Sequence, residues 1–191
     1  MNSVIRPTLV LFTALTLVTG AVYPLAVTGA AQLLFPVQAA GSLVLSNGHA
    51  VGSALIGQAF SDPGHFWGRP SATGPAPNNA QASGGSNLGP LNPALVDAVK
   101  GRVEALKAAD PGNAAAVPID LVTASASGLD PHISPAGAAY QLGRVARARK
   151  LPPETLARLV DAHTHRPVMG WFGEARVDVL ELNLALDALE K

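Results

Sequence analysis

Apolar residues run almost unbroken from Leu9 to Phe35, and no Asp, Glu, Lys or Arg occurs between Pro7 and Ser61. As a helix rising about 1.5 Å per residue, the run covers roughly 40 Å, more than the roughly 30 Å of a bilayer's hydrocarbon core. The pattern predicts a transmembrane helix over 9–35, preceded by a short N-terminus (1–8) and followed by one domain (36–191). The rival reading is a cleaved secretory signal, with Arg6 as its basic start and Val37-Gln38-Ala39 as a small-residue cleavage site. A signal's apolar stretch is about 7–15 residues, so the length favours a retained anchor. Arg6 precedes the span, and no basic residue follows it before Arg69. The positive-inside bias then puts the N-terminus in the cytoplasm and the domain outside, as a single-pass protein of the cell (inner) membrane.

The span also carries Thr13, Thr16, Thr19, Thr28, Gly20, Gly29 and Pro24. Threonine hydroxyls bond to carbonyls one turn back. Glycine lets helices approach closely, and proline frees a carbonyl that a neighbouring helix can satisfy. These features predict packing against other membrane helices, with Tyr23 and Pro24 marking the contact. The plainer explanation is that Gly and Pro are common in membrane helices generally.

Beyond residue 36 the periods shorten. Leu43-Val44-Leu45 and Val51–Phe60 flank Asn47-Gly48, a hairpin signal. Residues 61–93 hold too much Pro and Gly for a helix or a central strand. A loop of that length is usually functional or disordered. Phe60, Phe66, Trp67 and Leu88 predict that this one is ordered against something. Asn92-Pro93 reads as an N-cap with proline at the first helical position. Leu95, Val96, Val99, Val103 and Leu106 continue that helix until Asp110-Pro111-Gly112. Val117–Thr123 reads as a strand. Ser134-Pro135 opens a second helix with Tyr140, Leu142 and Val145, ending in Arg144, Arg147, Arg149 and Lys150. Those cations complement free carbonyls at a helix C-terminus, the alternative being an anion- or lipid-binding cluster. Leu156, Leu159, Val160 and His163 mark a third helix after Leu151-Pro152-Pro153. Arg176–Leu180 reads as a strand, and Asn183–Leu189 as a short helix capped by Asn183. The fold class is α+β: one N-terminal transmembrane helix, then one mixed α+β extracytoplasmic domain containing the long loop 61–93.

Composition narrows the partners. Thirteen basic and thirteen acidic residues leave no net charge, so nothing draws nucleic acid. Only 14% of residues are charged, against about 25% ordinarily, which points to a domain with much covered surface. The chain has no cysteine, which suits either compartment.

Candidate chemistry is thin. There is no lysine-bearing phosphate loop and no nucleophile elbow. Ser83-Gly84-Gly85-Ser86-Asn87-Leu88-Gly89 offers backbone amides to an anion, or simply a tight turn. Ser125, Asp130, His132 and Ser134 are triad residue types, but triads assemble from distant segments. Asp130-Pro131-His132 reads better as a turn in which Asp130 accepts backbone amides. Asp161, His163 and His165 alternate, so on a helix they splay apart, and a metal would need the segment extended plus a ligand from His132, His49 or His65. No metal or cofactor is expected from the residues themselves.

Longer stretches carry a resemblance. They are Thr19–Leu25, Gly52–Gln58, Gly68–Ala72, Ser83–Pro90, Val117-Pro118 with Asp120–Ser125, Ser127–Ser134, Gly173-Glu174 with Arg176-Val177, and Leu182–Leu186. Together and in this order they resemble the C-chain family of the Kdp potassium-transporting P-type ATPases of prokaryotes. Two departures stand out: Ala126 where the family usually has glycine, which questions a positive φ there, and Asp178 where asparagine is usual. The resemblance implies a non-catalytic accessory subunit of an ATP-driven, high-affinity potassium import complex. Its partners would be a channel-like potassium-binding subunit, a P-type ATPase subunit and a small membrane subunit, within the lipid bilayer. It implies assembly and a catalytic-chaperone role that raises the pump subunit's ATP affinity, with ATP the only cofactor in view. Arg69, Asn87, Asp130 and His132 are then candidates for the partner-facing end, or for bracing of the loops. A different class of reading is a membrane-anchored extracytoplasmic hydrolase using Ser125 and His132, or a binding module.

Overall fold

The computed structural model describes residues 3–189 and consists of two compact units, divided between Leu43 and Val44. In the first, helix α1 runs Ile5–Leu34; its most apolar window has a mean hydropathy of 1.9 and is 0% buried. It starts before Leu9 because Pro7 falls in the first turn, where its missing N–H leaves no bond unmade. It ends where Phe35 leaves helical geometry (φ −138°) ahead of Pro36. A single short turn of helix, α2 (Pro36–Ala39), follows. The hydroxyls of Thr8 and Thr19 donate to the carbonyls of Val4 and Leu15 at 2.8 and 2.7 Å. Just before Pro24 the ladder widens into a π-turn over Val18–Val22, and the Tyr23 N–H reaches back to the Val18 carbonyl. Proline lacks an N–H and its ring crowds the carbonyl four residues earlier, and one wide turn absorbs that mismatch.

The second unit opens with the expected hairpin, β1 (Leu43–Ser46) and β2 (His49–Ser53). Its turn uses Asn47 and Gly48 at φ 51° and 79°, the left-handed geometry such a hairpin requires. The second strand stops at Ser53, well short of Phe60, because a turn at Ala54-Leu55 folds Ile56 back to bridge Ser53. Helix α3 (Pro93–Ala109) begins as expected, with Asn92 Oδ1 accepting from Ala94 N. Val117–Thr123 is not a strand. Pro118 cannot donate to a ladder, and the segment turns as a short 3₁₀ element over Ile119–Leu121 that buries Leu121.

β3 (His132–Ile133) leads into α4 (Pro135–Arg149), capped by Ser134 Oγ accepting from Gly137 N. α5 (Pro153–Ala162) and β4 (Thr164–His165) follow. β5 (Arg176–Asp178) passes directly into α6 (Val179–Ala188). The last helix therefore starts before Asn183, and its cap is Asp178, whose carboxylate accepts from Glu181 N at 2.8 Å. Asp178-x-x-Glu181 is the local capping pattern that outweighed the extended reading of Val179 and Leu180. Strand order is β3-β5-β4, all antiparallel, with His132 opposite Asp178 and Thr164 opposite Val177. Phe66, Ile133, Val145, Leu156, Val177, Leu182 and Leu186 form the centre of the core, each at most 2% exposed.

Candidate functional site

The long loop is held by amide side chains from two helices. Asn183 in α6 accepts from Phe66 N (2.8 Å) and donates to Phe66 O (2.9 Å). Gln141 in α4 does the same for Trp67, at 2.8 and 3.0 Å. Both are 1% exposed, so each supplies a donor and an acceptor to backbone that has no strand partner. Arg144 lies 4.1 Å over the Trp67 ring and donates to Pro63 O at 2.6 Å and Gln141 Oε1 at 2.7 Å. Burial lowers its pKa to about 10, which leaves it charged at neutral pH. Arg149 donates to Gly64 O (2.8 Å) and to Asp187 (2.5 Å), and Arg147 pairs with buried Asp110. These arginines of the α4 C-terminus therefore bind a loop and two carboxylates instead of merely complementing free carbonyls.

That anchoring sets Arg69 beside the turn that enters β3. Arg69 Nη1 donates to Asp130 Oδ2 at 3.0 Å. Asp130 Oδ1 accepts from His132 N at 3.0 Å and lies 3.2 Å from His132 Nδ1. Burial raises the Asp130 pKa, but the hydrogen bonds from the His132 side chain and backbone, with those from Arg69, outweigh it and hold the carboxyl at about 2. Arg69 Nε is buried with no hydrogen-bond partner among the described residues. Asp120 Oδ2 accepts from Ser134 N at 2.7 Å and sits where a Cβ on Gly137 would fall, at 2.8 Å. Asp178, 3% exposed, has its pKa raised by burial, against its backbone bonds and the nearby His132. A cavity of about 250 Å³ opens here, lined by Arg69, Asp120, Asp130, His132, Glu174 and Arg176 among others. Two arginines and three carboxylates line it, so it is a polar recess of mixed charge. It falls below the roughly 300–1,000 Å³ of ordinary small-molecule sites.

Three of the six candidate residues, Arg69, Asp130 and His132, thus share one cluster. Asn87 is exposed, at φ 52°, and does not line this cavity. Tyr23 and Pro24 lie in the other unit, exposed along α1. Asp120, Asp178, Glu174 and Arg176 were missed; only Asp178 had a local signal, the capping pattern with Glu181. Ser125 Oγ is spent on Gly128 N at 2.9 Å, and no hydrogen bond joins it to His132 among the described residues. The positive φ of this turn falls at Gly128 (68°), next to Gly84 O and Thr73, and Ala126 is not among the left-handed residues. The glycine-rich stretch packs on the same turn, with Gly84 N and Ser83 Oγ both donating to Ser127 O. His163 Nδ1 is 2.9 Å from Leu159 O and Asp161 pairs with Arg166, so no metal-ligand cluster forms among the described residues.

Comparison with known proteins agrees with the resemblance. A family model described as KdpC: K+-transporting ATPase, c chain, matches residues 5–188. A potassium-transporting ATPase KdpC subunit from Polaromonas naphthalenivorans (strain CJ2) is 74% identical over 190 residues, covering 100% of this chain and 97% of that protein. Its counterpart from Variovorax paradoxus (strain S110) is 73% identical over 188 residues, covering 98% and 97%. That from Dechloromonas aromatica (strain RCB) is 62% identical over 191 residues and covers both chains completely.

Proposed function

This chain belongs to the KdpC family, the c chain of the K+-transporting ATPase, and from that premise we propose that it is a non-catalytic subunit that stabilises the potassium-import complex from the outer side of the membrane. Membership makes it a membrane-associated accessory subunit of a multi-subunit ATPase. The observation that carries the finer reading is α1, a 30-residue apolar helix of which none of the most apolar window is buried. Such a surface needs lipid and neighbouring helices. α1 crosses the bilayer once, N-terminus in the cytoplasm, and the Val18–Val22 turn with Tyr23 and Pro24 is its contact with the other membrane subunits. Residues 36–191 form the outer head, and Arg69, Asn87, Asp130 and His132 face the channel-like potassium-binding subunit.

Ser125 braces its own turn and carries no reaction, so Ser125→Ala leaves ATP hydrolysis and potassium uptake within about twofold of the parent. The complex also contains the P-type ATPase subunit and a small membrane subunit. The chain raises the pump subunit's ATP affinity indirectly, through α1. Purifying the complex from cells expressing a chain cut after residue 42 tests the assembly role. Loss of co-purifying subunits is expected, and a complete, normally active transporter overturns the reading. Titrating an ATP analogue onto the isolated full chain tests the nucleotide route, with no binding at millimolar ligand expected.

A further inference from the structure

We propose that the tight apolar loop between β4 and β5 is a lipid-docking tip that seats the head on the bilayer surface. Val168, Met169, Trp171 and Phe172 are 65, 85, 74 and 67% exposed, four large apolar side chains within five residues. The loop is built to hold them there. Val168 N donates to Phe172 O and Phe172 N to Val168 O, both at 2.9 Å, while Met169 and Gly170 turn the chain at φ 55° and 82°. The Trp171 and Phe172 rings meet edge to face, 5.8 Å apart. A soluble surface rarely keeps so concentrated an apolar group without a use for it.

Three observations choose lipid as its occupant. Only residues 35–42 separate α1 from β1, a reach of at most about 30 Å, shortened further by the helical turn α2. A head on so short a tether stays near the surface its anchor crosses. Residues 167–173 carry no charge, and the flanking Arg166 is already paired with Asp161 at 2.7 Å, so no charge on the tip resists its burial in lipid. Finally, side chains so exposed on so small a turn form a convex wedge. Fluid lipid closes around a wedge, whereas a protein partner needs a matching pocket, and tryptophan is favoured at the membrane–water boundary.

The inference rests on α1 being a membrane span, and the test separates the two. Trp67 and Trp171 are the two tryptophans of the chain. Full-length chain carrying Trp67→Phe is reconstituted in phosphatidylethanolamine–phosphatidylglycerol vesicles, with and without brominated acyl chains. The expected result is Trp171 emission shifted to shorter wavelength and losing most of its intensity to brominated lipid. The difference between parent and Trp171→Phe chains gives the same signal without altering Trp67. Chain that floats with the vesicles while Trp171 emits as if in water and ignores bromine keeps the anchor and overturns the docking. Shielding from iodide that appears only with the other subunits present, without bromine quenching, also overturns it and assigns the tip to a protein. Chain that does not float overturns both.

Discussion

Asp130 and Asp178 both approach His132, yet they respond to acid in opposite directions. Asp130 is held at about 2, so its contribution to stability is fully present above the usual carboxylate range and is lost as pH falls toward 2. Its side chain is 27% exposed, which screens part of this, and Asp130→Asn should cost about 1–2 kcal/mol at neutral pH. In urea unfolding of the full chain in detergent, the same variant should lose part of the acid dependence between about pH 4 and pH 2. Asp178 has the reverse sign. Its pKa is raised by burial, so holding its charge disfavours the folded state at neutral pH, and that penalty lifts as pH falls through the raised value. Asn keeps the cap over α6 without the charge. Asp178→Asn should therefore unfold at equal or higher urea at pH 7, with less gain on acidification than the parent. A less stable variant at pH 7 shows that the carboxylate is needed as such.

At the scale of elements, the loop 61–93 owes its order to α4 and α6. Asn183→Leu leaves the N–H and carbonyl of Phe66 buried and unpaired, at a cost of about 2–4 kcal/mol. Limited proteolysis should then cut the chain near residues 62–69, where the parent resists. Gly128 sits at φ 68°, and a Cβ there would meet Thr73 Cγ2 at 2.6 Å and Gly84 O at 2.7 Å. Gly128→Ala should cost roughly 1–3 kcal/mol and loosen the turn that presents Asp130. Such effects are long-range, and this explains how far the elements could be read from the sequence. Helices α3 and α4 announce themselves through Asn92-Pro93 and Ser134-Pro135, because caps are local chemistry. The hairpin turn does so through Asn47-Gly48. Strands of two residues have too little period to show, so β3 and β4 carried no signal, whereas β5 was legible within the longer run Arg176–Leu180. At Val117–Thr123 the β-branched residues suggested a strand that Pro118 prevents.

For the whole molecule the decisive prediction is topological. Protease added outside spheroplasts should digest the head and leave a membrane-protected fragment about the size of α1; protection of the head from that side overturns the orientation argued from Arg6. Local pattern was enough for the apolar span, the α+β class, the starts of α3, α4 and α5 and, through stretches spread along the whole chain, the family. Each is written in runs of neighbouring residues, as hydropathy, capping or ordered motifs. Folding alone brings Arg69 to Asp130 across 61 positions, sets Asn183 and Gln141 on the long loop, and turns the α4 arginines toward it. It also decided that Val168–Phe172 points its apolar side chains into solvent. Those pairings join segments distant in the chain, and a side chain's neighbours across such a gap leave no trace in its local pattern.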